Sequence, residues 1–361
     1  MSTDFLGTQW RWGRSLLVFV ATSFLFALAA EIATRLDDRV ERGIAILSSP
    51  TYDGELRTFR DGIIQGKAFG QFQKFKLNSW GFRGPEIAMA KPAGCQRLMV
   101  IGSSEMFGLY ESPGKDFTAA LQSRMSEQGC VEIINAAMSG MSLDAAMLYW
   151  KLRLAQFKPD AVLIYASPAL QITDTFPPPP YVPRFEERLA DGFRLRFLEW
   201  LRQYIHLPET IQDWKAEREY HGELARHPAD WLIQSPPEAG LKSYEAKLHS
   251  FIGTLRASGA TVVLMTHAER ATVDTLASHP HDEFYFKQNY PRVVPRVQLQ
   301  FNEIAVARER EIAAQEKLQL VDIDHVLTGC RECFADPVHF SDLGAERAAD
   351  AAAQVLMARQ P

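Results

Sequence analysis

Five short apolar runs, each followed by a longer stretch of helical period, constrain this chain more than any other feature. They fall at 97–101, 131–136, 161–166 ("AVLIYA"), 260–265 ("ATVVLM") and 318–323 ("LQLVDI"). Strands that are apolar on both faces must be covered on both faces, and strands separated by helices run parallel. The intervals 115–127, 143–156, 241–257, 295–315 and 344–357 read as those helices. In "SYEAKLHSFIGTLRASG", Tyr244, Leu248, Phe251, Ile252 and Leu255 share one stripe and Gly259 stops the helix. The predicted fold class is therefore α/β, three layers around a five-stranded parallel sheet. At 361 residues, 47% of them hydrophobic, the chain can fill such a core. A net charge of −5 shows no basic excess, so no nucleic-acid partner is expected.

The N-terminus has a different character. Residues 15–30, "SLLVFVATSFLFALAA", are uncharged and have no polar face, and Arg11 and Arg14 precede them. Ile32 and Ala33 carry the run past Glu31 toward the ~20 residues a bilayer span needs, so residues 1–34 are predicted to form a signal anchor, a transmembrane helix. Ala27-Leu28-Ala29 also satisfies the small-x-small rule for signal-peptide cleavage; the apolar run beyond that point favours the uncleaved anchor. Arg35, Arg39 and Arg42 are interleaved with Asp37, Asp38 and Glu41, so charge does not set the orientation.

Residues 35–94, including the turn-rich "LNSWGFRGPE", form a lead-in packed on the main domain at 95–361. About ninety residues separate the third and fourth runs, a helical insertion at about 171–240 that opens on "FPPPPYVPR" and continues through "FRLRFLEWLRQYIHL". It reads as an ordinary cover of apolar surface, as a cap over a ligand site beyond the strand ends, or as an interfacial membrane helix. Cys95 and Cys130 each stand just before an apolar run; if those runs are adjacent strands, a disulfide between them is geometrically allowed and implies an oxidising compartment. Cys330 and Cys333 form a lone CxxC, open to reading as a tight disulfide, a redox pair or half of a zinc site.

Chemistry concentrates where strands end. Gly102-Ser103-Ser104 closes the first run, and a serine there is exposed at the top of the sheet. A nucleophilic serine needs a histidine base and a carboxylate to orient it. Asp336-Pro337-Val338-His339 supplies both beyond the last run, and a three-residue spacing on one helical turn would set them side by side. His267, after the fourth run, reaches the same edge, as a ligand contact or as a histidine satisfying a loop carbonyl. No Gly-rich phosphate loop and no convincing metal spacing occurs, so neither cofactor nor metal is expected.

Together with Asn135-Ala-Ala-Met-Ser-Gly140 after the second run, these blocks resemble the SGNH hydrolase superfamily, the GDSL esterases, over roughly residues 78–357. The resemblance implies a flavodoxin-like sandwich, Ser104 as nucleophile, Ser104 and Gly140 as backbone oxyanion donors, Asp336 as orienter and His339 as base. "NSWGFRGPE" is similar to the segment preceding the catalytic domain in membrane-anchored bacterial members. Two departures stand out. Ser103 replaces the usual aspartate, and Ala166 and Pro168 stand where the third block's glycine and donor asparagine belong, with Ser167 and Gln171 as candidate replacements. The expectation is a serine esterase for O-acetyl groups of carbohydrate or other envelope substrates, single-pass in the inner membrane with its catalytic domain in the periplasm. The alternatives are a polysaccharide O-acetyltransferase partnered by a membrane-bound O-acyltransferase, and a non-catalytic protein of the same fold that binds glycan or a partner.

Overall fold

The computed structural model describes residues 4–42, 55–72, 74–173, 209–228 and 230–358. Two units separate: Met1–Thr51 with Tyr181–Leu207, and Tyr52–Pro180 with Pro208–Pro361. In the first, the described element is one helix, α1 (Asp4–Arg42). Its side chains from Leu16 to Phe26 include Leu17, Phe19, Phe24 and Leu25, all exposed, so apolar surface faces outward on every side. Among the described residues no helix is long and apolar enough to cross a membrane.

The second unit contains the predicted sheet. Its strands are β5 (Gln96–Gly102), β6 (Val131–Asn135), β7 (Ala161–Tyr165), β8 (Thr261–Met265) and β9 (Gln319–Val321). All pairs are parallel and the spatial order is β6-β5-β7-β8-β9. Counted from β5, this is the 2-1-3-4-5 order of flavodoxin-like sheets. Right-handed crossovers then dictate which helix lies on which face. Helices α3 (Phe117–Ser126) and α10 (Asp342–Met357) pack together on one face; α4 (Leu143–Leu152), α6 (Glu238–Ala257) and α8 (Pro295–Gln315) pack on the other. The fifth strand is shorter than its apolar run, because Asp322 caps α9 (Ile323–Leu327) by accepting the N–H of His325. Asp322 and Asp324 also share Arg310, at 2.8 and 2.6 Å.

The lead-in is part of this unit from residue 55 onward. Its hairpins β1 (Arg57–Arg60) with β2 (Ile63–Gly66) and β3 (Gln71–Phe72) with β4 (Phe75–Lys76) bring Ile63, Phe72 and Phe75 into the core. "LNSWGFRGPE" turns through Asn78, whose Oδ1 accepts the N–H groups of Trp80 and Phe82, each at 3.0 Å. Trp80 and Phe82 then pack edge-on against Phe157, each with centroids 5.2 Å apart. Cys95 and Cys130 form a disulfide where β5 and β6 begin, and Cys330 and Cys333 form a second one. Of the long insertion, 176–184 and 193–207 lie outside the described residues, whereas α5 (Glu209–Leu224) packs on α7 (Pro280–Asn289).

Candidate active site

The order of the sheet reverses between β5 and β7, and open α/β sheets bind ligands at the carboxyl ends of strands at such a point. Ser104 leaves β5 there and Ser167 leaves β7. Only glycine fits at 102: a Cβ would come within 2.7 Å of Met106 Cγ and 2.9 Å of the Tyr165 carbonyl oxygen. The chain turns at Ser103 into the single helical turn α2 (Ser104–Phe107), which presents the Ser104 hydroxyl half-buried at the sheet's edge.

From the far end of the chain, the segment between Phe334 and Phe340, closed by a bridge between those two residues, delivers the partners. His339 Nε2 is 2.9 Å from Ser104 Oγ, and His339 Nδ1 is 2.7 Å from Asp336 Oδ2. The expected helical turn at 336–339 does not form. Asp336 Oδ1 instead accepts the backbone N–H groups of Val338 at 3.0 Å and His339 at 2.9 Å, a side-chain-closed turn that Asp favours over helix. One carboxylate thus shapes the loop with one oxygen and orients the imidazole with the other. Arg270 steadies the same loop, donating its backbone N–H to the Pro337 carbonyl at 2.8 Å while its guanidinium pairs with the fully buried Asp282.

Burial opposes both charges of the His339–Asp336 pair, but their hydrogen bond and mutual attraction outweigh it. Asp336 is therefore held below the usual carboxylate range. His339 is raised above the ordinary histidine value, with Glu105 and Glu111 adding to the effect of Asp336. Glu111 is itself pushed up to about 7 by burial. Three tyrosines flank the pair. The Tyr110 ring lies 5.4 Å from the imidazole, and burial with the Asp336 carboxylate pushes its hydroxyl up to about 12. Burial first, and the Asp336 and Glu105 charges after it, also raise Tyr285 and Tyr290. All three phenols stay protonated at neutral pH.

The structure thus unites Ser104, Asp336 and His339. Gly140, at φ +78°, lies on the loop after β6, and its N–H donates to Ser103 Oγ at 3.1 Å. Ser103, standing where the resembled pattern has aspartate, therefore helps tie this loop to the turn at Ser104, beside the Met138 N–H that donates to the Gly102 carbonyl at 3.1 Å. Pro168 opens a short 3₁₀ turn (Pro168–Gln171) and offers no donor. Ser167 reaches the site indirectly, donating to Glu105 Oε1 at 2.5 Å. Neither Gln171 nor His267 hydrogen-bonds to the three among the described residues. Gln171 is buried with its Oε1 unpartnered. His267 is buried against Tyr165, 5.4 Å between centroids, with Nε2 3.8 Å from Glu269. Among the described residues no cluster of three or more His, Cys, Asp or Glu is placed to hold a metal.

Two residues of this site escaped the sequence. Glu105 is 4% exposed and places Oε2 3.3 Å from Ser104 Oγ. No spacing rule marks position 105. Arg83, from the lead-in, is also buried, pairs with Asp116 at 3.6 Å and donates to the carbonyls of Phe107 and Gly108. It clamps the end of α2, and only the fold shows that residue 83 meets residue 107.

No protein-family profile matches the chain, and no curated protein sequence matches it. Solved structures do. A lipase/acylhydrolase from Enterococcus faecalis is 16% identical, with 73% of this chain and 96% of that one covered and a TM-score of 0.42. A psychrotrophic esterase, EstA, from Pseudoalteromonas sp., in a structure inhibited by monoethylphosphonate, is 12% identical over 73% and 97% of the two chains, at 0.43. An acetyl xylan esterase is 14% identical over 72% and 99%, at 0.42.

Proposed function

We propose that the protein is a serine esterase that works through an acyl-Ser104 intermediate. The observation that carries this is the series Ser104 Oγ, His339 Nε2, His339 Nδ1 and Asp336 Oδ2, joined at 2.9 and 2.7 Å at the sheet's switch point. His339 takes the Ser104 proton as Oγ attacks the ester carbonyl, and Asp336 holds the imidazole with its Nδ1–H inward. The backbone N–H groups of Ser104 and Gly140 face the developing oxyanion, the latter exchanging Ser103 Oγ for it. Collapse breaks the ester C–O bond, and His339 returns the proton to the departing alkoxide. Water then repeats the sequence on the acyl-serine and releases the acid.

The Tyr110 ring 5.4 Å from His339 and the Glu105 carboxylate 3.3 Å from Ser104 Oγ set an aromatic and a polar group beside the serine, and the substrates we infer are O-acetyl groups on a carbohydrate or another hydroxyl-rich envelope compound. The apolar surface of α1 supports membrane anchoring with the enzyme unit on the extracytoplasmic side, where its two disulfides persist. A second reading, a non-catalytic binding protein, draws on Pro168, which leaves the oxyanion one donor short. A fluorophosphonate probe decides between them. Labelling of the wild type and not of Ser104→Ala supports the enzyme; a folded wild type that never labels refutes it.

A further inference from the structure

Glu105 has no part in the acylation step, yet it is a carboxylate buried against the nucleophile. Its Oε1 accepts the Ser167 hydroxyl at 2.5 Å, and its Oε2 lies 3.3 Å from Ser104 Oγ, within reach of that hydroxyl's proton. His339 Nε2 flanks the same oxygen at 2.9 Å. In the free protein the single Ser104 proton has two acceptors beside it, His339 Nε2 and Glu105 Oε2, and serves one at a time, so the hydroxyl is the donor that Oε2 shares with the imidazole.

Acylation changes this count. The ester oxygen of acyl-Ser104 bears no proton, so Oε2 loses its donor while remaining buried, and a buried acceptor without a partner is costly. The vacancy arises at the moment the acyl group needs an acceptor. It is filled best by an O–H donor that sits beside the hydroxyl being deprotonated by His339. Resting on the acyl-serine reading above, we propose that Glu105 binds the acyl acceptor, making this an enzyme that transfers acyl groups to vicinal polyols in preference to simple alcohols. One hydroxyl of the diol gives its proton to His339 Nε2 as its oxygen attacks the acyl carbon. The neighbouring hydroxyl keeps its proton and donates to Glu105 Oε2. The bond between the acyl carbon and Ser104 Oγ then breaks, the proton passes from His339 to Ser104 Oγ, and the product is a monoacyl polyol.

The test is partitioning of the acyl-enzyme formed from p-nitrophenyl acetate between glycerol and 1-propanol, with the p-nitrophenol burst and fluorophosphonate labelling followed in parallel. The wild type is expected to favour glycerol. In Glu105→Leu/Ser167→Ala, which removes the acceptor without orphaning the Ser167 hydroxyl, the glycerol-to-propanol ratio is expected to fall about 10- to 100-fold, the range for a lost hydrogen bond to a charged group; the ratio is read within each acyl-enzyme, so it does not depend on how fast the variant acylates. Glu105→Gln keeps the shape and an acceptor oxygen without the charge, and is expected to fall several-fold. It decides the matter if the double variant does not fold. Ratios equal to the wild type's in labelled protein overturn the role of Glu105, as does loss of labelling in the Glu105 variants alone. A wild type that never labels overturns the esterase reading instead.

Discussion

Replacing Asp336 by Asn separates the two tasks of that side chain. The loop should survive, because Asn Oδ1 can still accept the N–H groups of Val338 and His339, now at 3.0 and 2.9 Å. The imidazole should not. The Asn amide nitrogen would face Nδ1 where a carboxylate oxygen now stands at 2.7 Å, and two donors cannot meet there. His339 must then turn Nδ1 into an acceptor and carry its proton on Nε2, the atom 2.9 Å from Ser104 Oγ, which can no longer receive the serine proton. Trapping a triad histidine in the wrong tautomer lowers kcat by about 10⁴, or roughly 5 kcal/mol of barrier. Burst kinetics with p-nitrophenyl acetate measure the loss, and circular-dichroism melting checks the fold. Asp336 is also the strongest of the groups that raise His339, so the acid limb of kcat/KM should lie above the ordinary histidine value in the wild type. In the residual activity of the variant it should move to lower pH. A folded Asp336→Asn protein within tenfold of the wild-type kcat, with an unmoved acid limb, would refute the assignment.

Three further outcomes follow from the geometry. Arg83→Ala leaves Asp116 buried without its ion partner and frees the carbonyls at the end of α2, so it should cost about 3–5 kcal/mol in denaturant unfolding. Joining residues 35 apart, the Cys95–Cys130 disulfide should contribute about 4 kcal/mol by chain entropy, seen as a lower unfolding midpoint in Cys95→Ala/Cys130→Ala and in reduced protein. Glu309 is fully buried, accepts from Tyr244, and burial pushes it up from 4.5 to about 7. A raised carboxyl holds more protons folded than unfolded across that window, so its contribution is complete below about 4.5 and is lost as pH rises through about 7. Glu309→Gln should therefore flatten the fall of the melting temperature between those two values, and an unchanged slope would rule Glu309 out as its source.

The sheet was legible in the sequence because burial on both faces leaves no room for polar residues: each of the five runs became a strand, and the helical stripes filled the intervals. Ser104 and His339 were legible for a related reason. Strand ends place side chains at one edge, and although Gly-Ser-Ser and Asp-x-x-His are each common by chance, their order and placement put both at that edge. The lead-in's turns were equally readable from Asn78, Gly81 and Gly84. What the linear pattern could not supply was contact between distant segments. It put Asp336 and His339 on a helical turn, whereas the Asp336 side chain outcompeted the helix for the N–H groups of Val338 and His339. It placed His267 at the right edge but not in the core against Tyr165, where burial and Glu269 hold it. Glu105 and Arg83 carry no periodicity or motif, and their roles exist only because β5, β7 and the lead-in converge on one turn. By itself the sequence determined the layers and the edge at which Ser104 stands, since those depend on local polarity and chain order. The tertiary structure alone decided which charges surround that serine, since electrostatic partners are set by distance in space.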